Sequence, residues 1–294
     1  MGNEYERVEY VGKGEIFLVV FVNKYDCRFM RDSKKNYIIK DLLGYGWKGG
    51  VMIQFTLYDT IFSFVNCHLE SGQNAVEKRA VMAAGILSEI GLFSEREQIE
   101  PDAIADINFF MGDLNFRLNR SYSEHIGQIQ HSASLVYKLD QLNLLRSQYR
   151  VFPEYEENEI VFMPTYKRER HTNNYTNKKE QCPSYTDRIL VKNNSSCPLT
   201  IRQYGAREEY WGSDHRPVFT HTSVVSQPQH LINPVTLLDS NTAIQGFSQI
   251  KFEYCLVEFD QARLLPILTE KYRFPLFFQL NFRADWLLVK PFSN

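Results

Sequence analysis

The sequence holds little from which to build a disulfide or zinc scaffold. Its five cysteines, Cys27, Cys67, Cys182, Cys197 and Cys255, are odd in number, widely spaced and never in a C-x-x-C arrangement. Such a set suits a reducing compartment. Long apolar runs are also missing. The strongest, Ile16 to Val22, is far shorter than the ~20 residues a membrane-spanning helix needs. The first ten residues, MGNEYERVEY, contain acidic side chains and no apolar stretch, so they do not read as a signal peptide. Glu6 stands where N-myristoylation requires Ser or Thr. No long run of one charge sign occurs and the formal net charge is -2, which argues against a broad nucleic-acid-binding face. Any basic site must be local. These absences lead to the expectation of a soluble cytoplasmic protein.

What is present suffices for one sizeable core: 294 residues, 44% of them hydrophobic. Ile16 to Val22 is β-branched and aromatic on both faces, as in a strand buried on both sides. VMIQFTLY from Val51 and IFSFVNC from Ile61 flank Asp59-Thr60 and predict a hairpin. Asn74 with Glu77 three residues on has capping-box spacing and predicts a helix from Asn74 to Ile90. A second helix is expected from Ser134 to Leu145, with Leu135, Leu139, Leu142 and Leu145 at helical spacing. Short strands are expected at Ile107 to Met111, Ile160 to Phe162, Ile189 to Val191 and Val218 to Thr220. Strands mixed with helices, without a fixed repeat, predict an α/β sandwich. Composition shifts at SQPQHLINP, from Ser226, which reads as a linker. Beyond it QIKFEYCLVEFD and PLFFQLNF are strand-like.

Four segments place polar groups directly beside apolar strands, where a sheet delivers side chains to a cleft. In FVNCHLESG, His68 ends a buried strand; alone it reads more readily as a structural histidine. In FFMGDLNFRL, Gly112 frees the backbone while Asp113 and Asn115, two apart, can share one face. Phosphoryl transfer uses a carboxylate to orient water and an amide to hold phosphate. CPSYTDRIL carries Asp187 and Arg188 into a strand, and GSDHRPVF sets Asp214 and His215 just before another.

Taken in order, these segments resemble the inositol polyphosphate 5-phosphatases, magnesium-dependent members of a superfamily with the DNase I-like fold. The match runs from about Glu4 to Thr222, and FMPTYK, Phe162 to Lys167, resembles the phosphoinositide branch. The resemblance implies a four-layer sandwich of two β-sheets flanked by helices. It implies that Asp113 activates water, that Asn115 and His68 contact the scissile phosphate, and that His215, oriented by Asp187, stabilises phosphoryl oxygens. Asp214 is expected to help place Mg2+. Lys48, Tyr166, Lys167, Lys179 and Arg188 are the expected substrate-binding residues. The implied substrate is a phosphoinositide or soluble inositol phosphate, met at the cytosolic face of a membrane through peripheral contact, with no nucleic acid. FMPTYKRER and the tail resemble the Src-homology-2-containing 5-phosphatases, whose catalytic unit is followed by a C2-like domain. Residues 1–225 are thus expected to form the catalytic domain, and 226–294 a linker with a partial β-rich unit.

The resemblance has gaps. The family's W-N-x-x-G segment and the strand ending in the metal-binding Gln-Glu have no counterpart. Glu97-Gln98 and Glu180-Gln181 lie in the wrong place and order. The implied chain is N-terminally truncated, with reduced metal binding and little turnover on its own. Gln181 stands where the family has an arginine for a neighbouring phosphate, and neutral Gln forgoes a charge-assisted bond. Trp47 replaces an asparagine. Three readings follow: a 5-phosphatase, a catalytically inactive phosphoinositide- or partner-binding relative, and a nuclease of the same fold. FMPTYK and the absence of a basic face disfavour the nuclease.

Overall fold

The computed structural model of the chain describes residues 4–40, 47–90, 105–124, 136–177, 181–226, 248–255 and 278–279. Its centre is a five-stranded sheet in the order β3-β4-β5-β6-β7, made of Met30–Ile39, Gly49–Leu57, Thr60–His68, Ile107–Asp113 and Asp187–Asn193. All pairs are antiparallel except β5 with β6. The predicted hairpin is present, and Tyr58 at φ 55° turns it. Strands β1 (Tyr5–Lys13) and β2 (Ile16–Asn23) form a second hairpin. Strands β8 (Leu199–Ala206) and β9 (Val218–Ser226) form a third.

Side-chain alternation along the central strands produces two cores. In β6, Ile107, Phe109 and Met111 face one way, with Leu18, Val20 and Val22 of β2 and Val218 and Val224 of β9 in the same cluster. Phe110 faces the other way, into a cluster with Ala83, Ile86 and Ile90 of helix α1 (Val76–Ile90) and Leu142 and Leu145 of helix α2 (Gln141–Ser147). The result is an α/β sandwich with sheet against sheet on one side and helices on the other. Among the described residues no helix is long and apolar enough to cross a membrane.

Several expected elements shift. Helix α1 starts at Val76, not Asn74: the Arg79 N–H bonds the Ala75 carbonyl, and Glu77 pairs with Arg150 instead of closing a capping box. The second expected helix is interrupted: Val136 and Tyr137 are helical, but Asp140 adopts extended backbone, and helix α2 begins at Gln141 with the Asp140 carboxylate capping the Asn143 N–H. Residues 134 and 135 of that expected helix lie outside the described residues. Ile160 to Phe162 is buried at Ile160 but forms no strand. Of the strand-like tail, Ser248–Cys255 is β10, antiparallel to β9, and Phe278–Gln279 is β11, parallel to β2. The linker at 227–234 lies outside the described residues.

Strand β3 is an edge of the central sheet. It is broken by a bulge between Arg31 and Lys34, with Asp32 at φ 53°, and it turns Arg31 to Lys35 to solvent.

Candidate active site at one end of the central sheet

Sheet register alone places the first three polar residues in a row. Gly49 pairs with His68, His68 with Asp113, and Asp113 with Asp187. Residues in one row of a sheet share a face. These three continue the faces of Phe64, Met111 and Ile189, so they lie at the rim of the sheet-to-sheet core. Lys48 precedes the row at the start of β4. Gly112 allows β6 to sit this close to β5. Its φ is 118°, and a Cβ there would meet the Cys67 carbonyl oxygen at 2.2 Å.

Past Asp113 the backbone folds back on itself, with Asn115 at φ 55°. The Asn115 N–H donates to Asp113 Oδ1 at 3.0 Å and its amide nitrogen to Asp113 Oδ2 at 3.0 Å. The same amide nitrogen donates to the Leu69 carbonyl at 3.1 Å, while Arg117 donates to Asn115 Oδ1 at 2.6 Å. Burial alone would raise the Asp113 carboxyl, but the His68 hydrogen bond and the nearby His215, His68 and Lys48 charges hold it well below the usual carboxylate range. His68 Nε2 lies 3.3 Å from Asp113 Oδ2 and 2.6 Å from Lys48 Nζ. Burial lowers the Lys48 ammonium.

The other half comes from loops. Backbone hydrogen bonds join Tyr166 to Ser184, Arg168 to Asp214 and Arg216 to Thr165, fastening three segments side by side. His215 Nδ1 faces Asp187 at 2.9 and 3.1 Å. Asp187 Oδ2 also accepts from Thr165 Oγ1 at 2.5 Å and Thr186 Oγ1 at 2.9 Å. Burial opposes charge on His215, but Asp187, with Asp113 and Asp214 behind it, pushes its pKa up to about 9. The Tyr166 ring lies against the imidazole, with centroids 4.4 Å apart. Ligand-capable atoms of Asp113, Asp187 and His215 all lie within 4.8 Å of one another.

The Endonuclease/Exonuclease/phosphatase family 2 model matches residues 1–221. The chain belongs to this family. Among curated relatives it is 35% identical over 219 residues to phosphatidylinositol 3,4,5-trisphosphate 5-phosphatase 2 of Sus scrofa, covering 71% of this chain and 17% of that protein. The chain thus spans about a sixth of that relative's length. Among solved structures it resembles the inositol polyphosphate 5-phosphatase domain of SpSynaptojanin, in complex with inositol (1,4)-bisphosphate and calcium ion. That match has a TM-score of 0.66, 28% identity, and coverage of 74% of this chain and 62% of that one. Nitrophorin of Cimex, as its ferrous NO complex, shares the fold alone, with a TM-score of 0.60, 21% identity and 74% coverage of each chain. The chain is therefore an inositol polyphosphate 5-phosphatase relative with the DNase I-like fold.

In this 5-phosphatase relative the structure gathers Lys48, His68, Asp113, Asn115, Asp187, Tyr166 and His215 at one cleft. Three expected site residues are placed otherwise than the sequence suggests. Arg188 points away from the cleft. Strand alternation sends it to the opposite face from Asp187, fully buried, where it pairs with Asp140 at 2.9 Å and Glu157 at 2.6 Å. Asn115 is not open to phosphate either, because both amide hydrogens are used by Leu69 and Asp113. Its amide lies against Asp113 instead. Asp214 turns its carboxylate to Lys167 Nζ at 3.2 Å and stands outside the Asp113, Asp187 and His215 group. Tyr166 also donates to Gln181 Oε1 at 3.2 Å, so the neutral residue at 181 is held by the cleft's own tyrosine. Lys179 lies outside the described residues. Thr165, Thr186 and Arg117 were missed from the sequence. Thr165 and Thr186 each adjoin a residue that was singled out, which was the available signal.

Proposed function

We propose that this cleft hydrolyses the 5-phosphate of a phosphoinositide or soluble inositol phosphate by in-line attack of water. The observation that carries the reading is geometric: Asp113, Asp187 and His215 bring their polar atoms within 4.8 Å of one another, with His215 Nδ1 on Asp187, a setting that lowers the Asp113 carboxyl and raises the His215 imidazole. That pairing suits a monoester. Asp113 takes a proton from water as the water oxygen bonds to phosphorus. The bond from phosphorus to the inositol oxygen breaks, and that oxygen takes a proton from solvent. His215 faces the charge spread over the phosphoryl oxygens, and Lys48 adds a cation across the cleft. Preorganised charge of this kind is usually the largest single contribution to phosphoryl transfer. Substrate identity rests on the relatives' names, not on the cleft, and the meeting with a membrane surface is part of the proposal, since a lipid substrate requires it.

Magnesium is the implied cofactor, a hard cation that takes oxygen ligands in an octahedron. The described donors do not fit it by themselves. Both Asp113 oxygens accept from Asn115, one of them also near His68, and Asp187 is engaged by Thr165, Thr186 and His215. The imidazolium already stands where a cation would neutralise the two carboxylates.

The test is release of inorganic phosphate from inositol 1,4,5-trisphosphate and from a short-chain phosphatidylinositol 4,5-bisphosphate, with magnesium and with chelator. Release by the wild type should fall on the order of 10²–10⁴-fold in Asp113→Asn, the usual contribution of a positioned base. If the wild type binds the headgroup calorimetrically yet releases no more phosphate than Asp113→Asn, the cleft is a binding site and the hydrolytic reading fails.

A further inference from the structure

Arg117 lies inside the cleft wall, 3% exposed, and touches both halves of the site. Its Nε donates to the Asn115 carbonyl at 3.1 Å and its Nη2 to Asn115 Oδ1 at 2.6 Å. That second bond fixes which end of the Asn115 amide is nitrogen, and so aims the amide at Asp113. Its guanidinium also lies over the Tyr166 ring, 4.6 Å from the centroid. The His215 imidazole also lies against that ring, with centroids 4.4 Å apart. A planar guanidinium can fork to an amide through its edge while stacking through its face, which a lysine ammonium cannot do. Its own backbone is anchored as well: the Arg117 N–H donates to Gln141 Oε1 at 3.0 Å, an oxygen that also accepts from buried Arg79 at 2.6 Å.

We propose that Arg117 is a positioning residue that couples the water-activating arm, through Asn115 to Asp113, with the phosphate-facing arm, through Tyr166 to His215. The two arms come from distant parts of the chain. Asp113 belongs to a strand of the central sheet, whereas Tyr166 and His215 sit on loops. Their relative placement decides whether water, phosphorus and the leaving oxygen line up. One guanidinium in contact with both sets that spacing in a single rigid group. This inference rests on reading the cleft as a phosphoryl-transfer site, but the coupling itself can be observed without turnover.

The experiment compares wild type, Arg117→Lys and Arg117→Gln by NMR and by steady-state kinetics. Two spectroscopic signals are followed: the Asn115 side-chain amide and the His215 ring protons, the latter displaced by ring current from Tyr166. Both are expected to move in both variants, while amides of the β1–β2 hairpin stay in place. Catalysis is expected to fall in kcat by on the order of 10²-fold with KM nearly unchanged, since misplacement of about 1 Å carries such a penalty. Movement of the Asn115 signal without the His215 signal would overturn the coupling, as would unchanged kcat in Arg117→Lys. Should Arg117 variants fail to fold, Tyr166→Leu probes the same link from the far side. The Asn115 amide is expected to move there too, and an unmoved amide overturns the proposal. If wild type shows no turnover, the hydrolytic reading fails while the two NMR signals still decide the coupling.

Discussion

Asp187 and Arg188 are adjacent in β7, yet they serve two different clusters of charge. Asp187 opens into the cleft, where His215 and Asp113 keep part of their surface in solvent. Arg188 points to the helical side, where Asp140 and Glu157 have no exposed side-chain surface. There all five guanidinium N–H groups are used, on Glu157, Asp140, the Tyr185 carbonyl and the Tyr137 hydroxyl. Desolvation drives both places, but toward different ends. In the cleft it sharpens the opposition of a base and a cation. Behind the sheet it locks a strand end to the cap of α2, leaving no valence for chemistry. A charged residue beside a motif is therefore not informative until the strand's alternation is applied to it.

The comparison breaks most sharply at Arg188. Arg188→Met should destabilise the fold by about 3–5 kcal/mol, because buried Asp140 loses its cation and buried Glu157 keeps only the longer contact to Arg146 at 3.5 Å. Urea unfolding measures it. A loss of activity with unchanged stability would return Arg188 to the cleft. The next effect is one of pH. His215 should remain a cation to about pH 9, so kcat/KM should hold below that value and fall tenfold per pH unit above it. The sign for stability follows. A pKa raised from about 6.5 in the unfolded chain gives a contribution complete below that value and lost as pH climbs through about 9. An NMR titration of the His215 ring reads the same transition. Thr165→Val is smaller. It removes one hydroxyl from Asp187 at a cost of about 1 kcal/mol, seen as a roughly fivefold loss in kcat with KM steady. Smallest of all is Asn74→Ala. Since Ala75, not Asn74, accepts the first helical bond, thermal unfolding should show a change within about 0.5 kcal/mol.

The sequence was most legible where one element carried both the apolar pattern and the polar group. IFSFVNCH and INFFMGD read as strands because every face is buried, and their terminal His68 and Asp113 were visible for the same reason. The charged edge strand β3 has no apolar periodicity, so nothing in its pattern announced it. The capping box failed because Glu77 finds Arg150 across the fold, a partner 73 positions away. The roles of Thr165, Thr186 and Arg117 were hidden for a related reason. Each depends on a side chain delivered by another segment, and only folding decides which of a segment's polar atoms remain free.

The bulged edge of β3 bears on how crowded a solution this protein tolerates. A ten-residue strand with one unpaired side is a template on which a second molecule's strand could add. Here the exposed stretch from Arg31 to Lys35 carries three cations, and the bulge at Asp32 twists it out of flat register. Two copies meeting edge to edge would have to bury these charged side chains, Arg31 paired with Asp59 and Lys35 with Glu9, on misaligned ladders. Replacing Lys34 and Lys35 with threonine would leave the cleft untouched and trade that protection for self-assembly, visible as light scattering that grows with concentration.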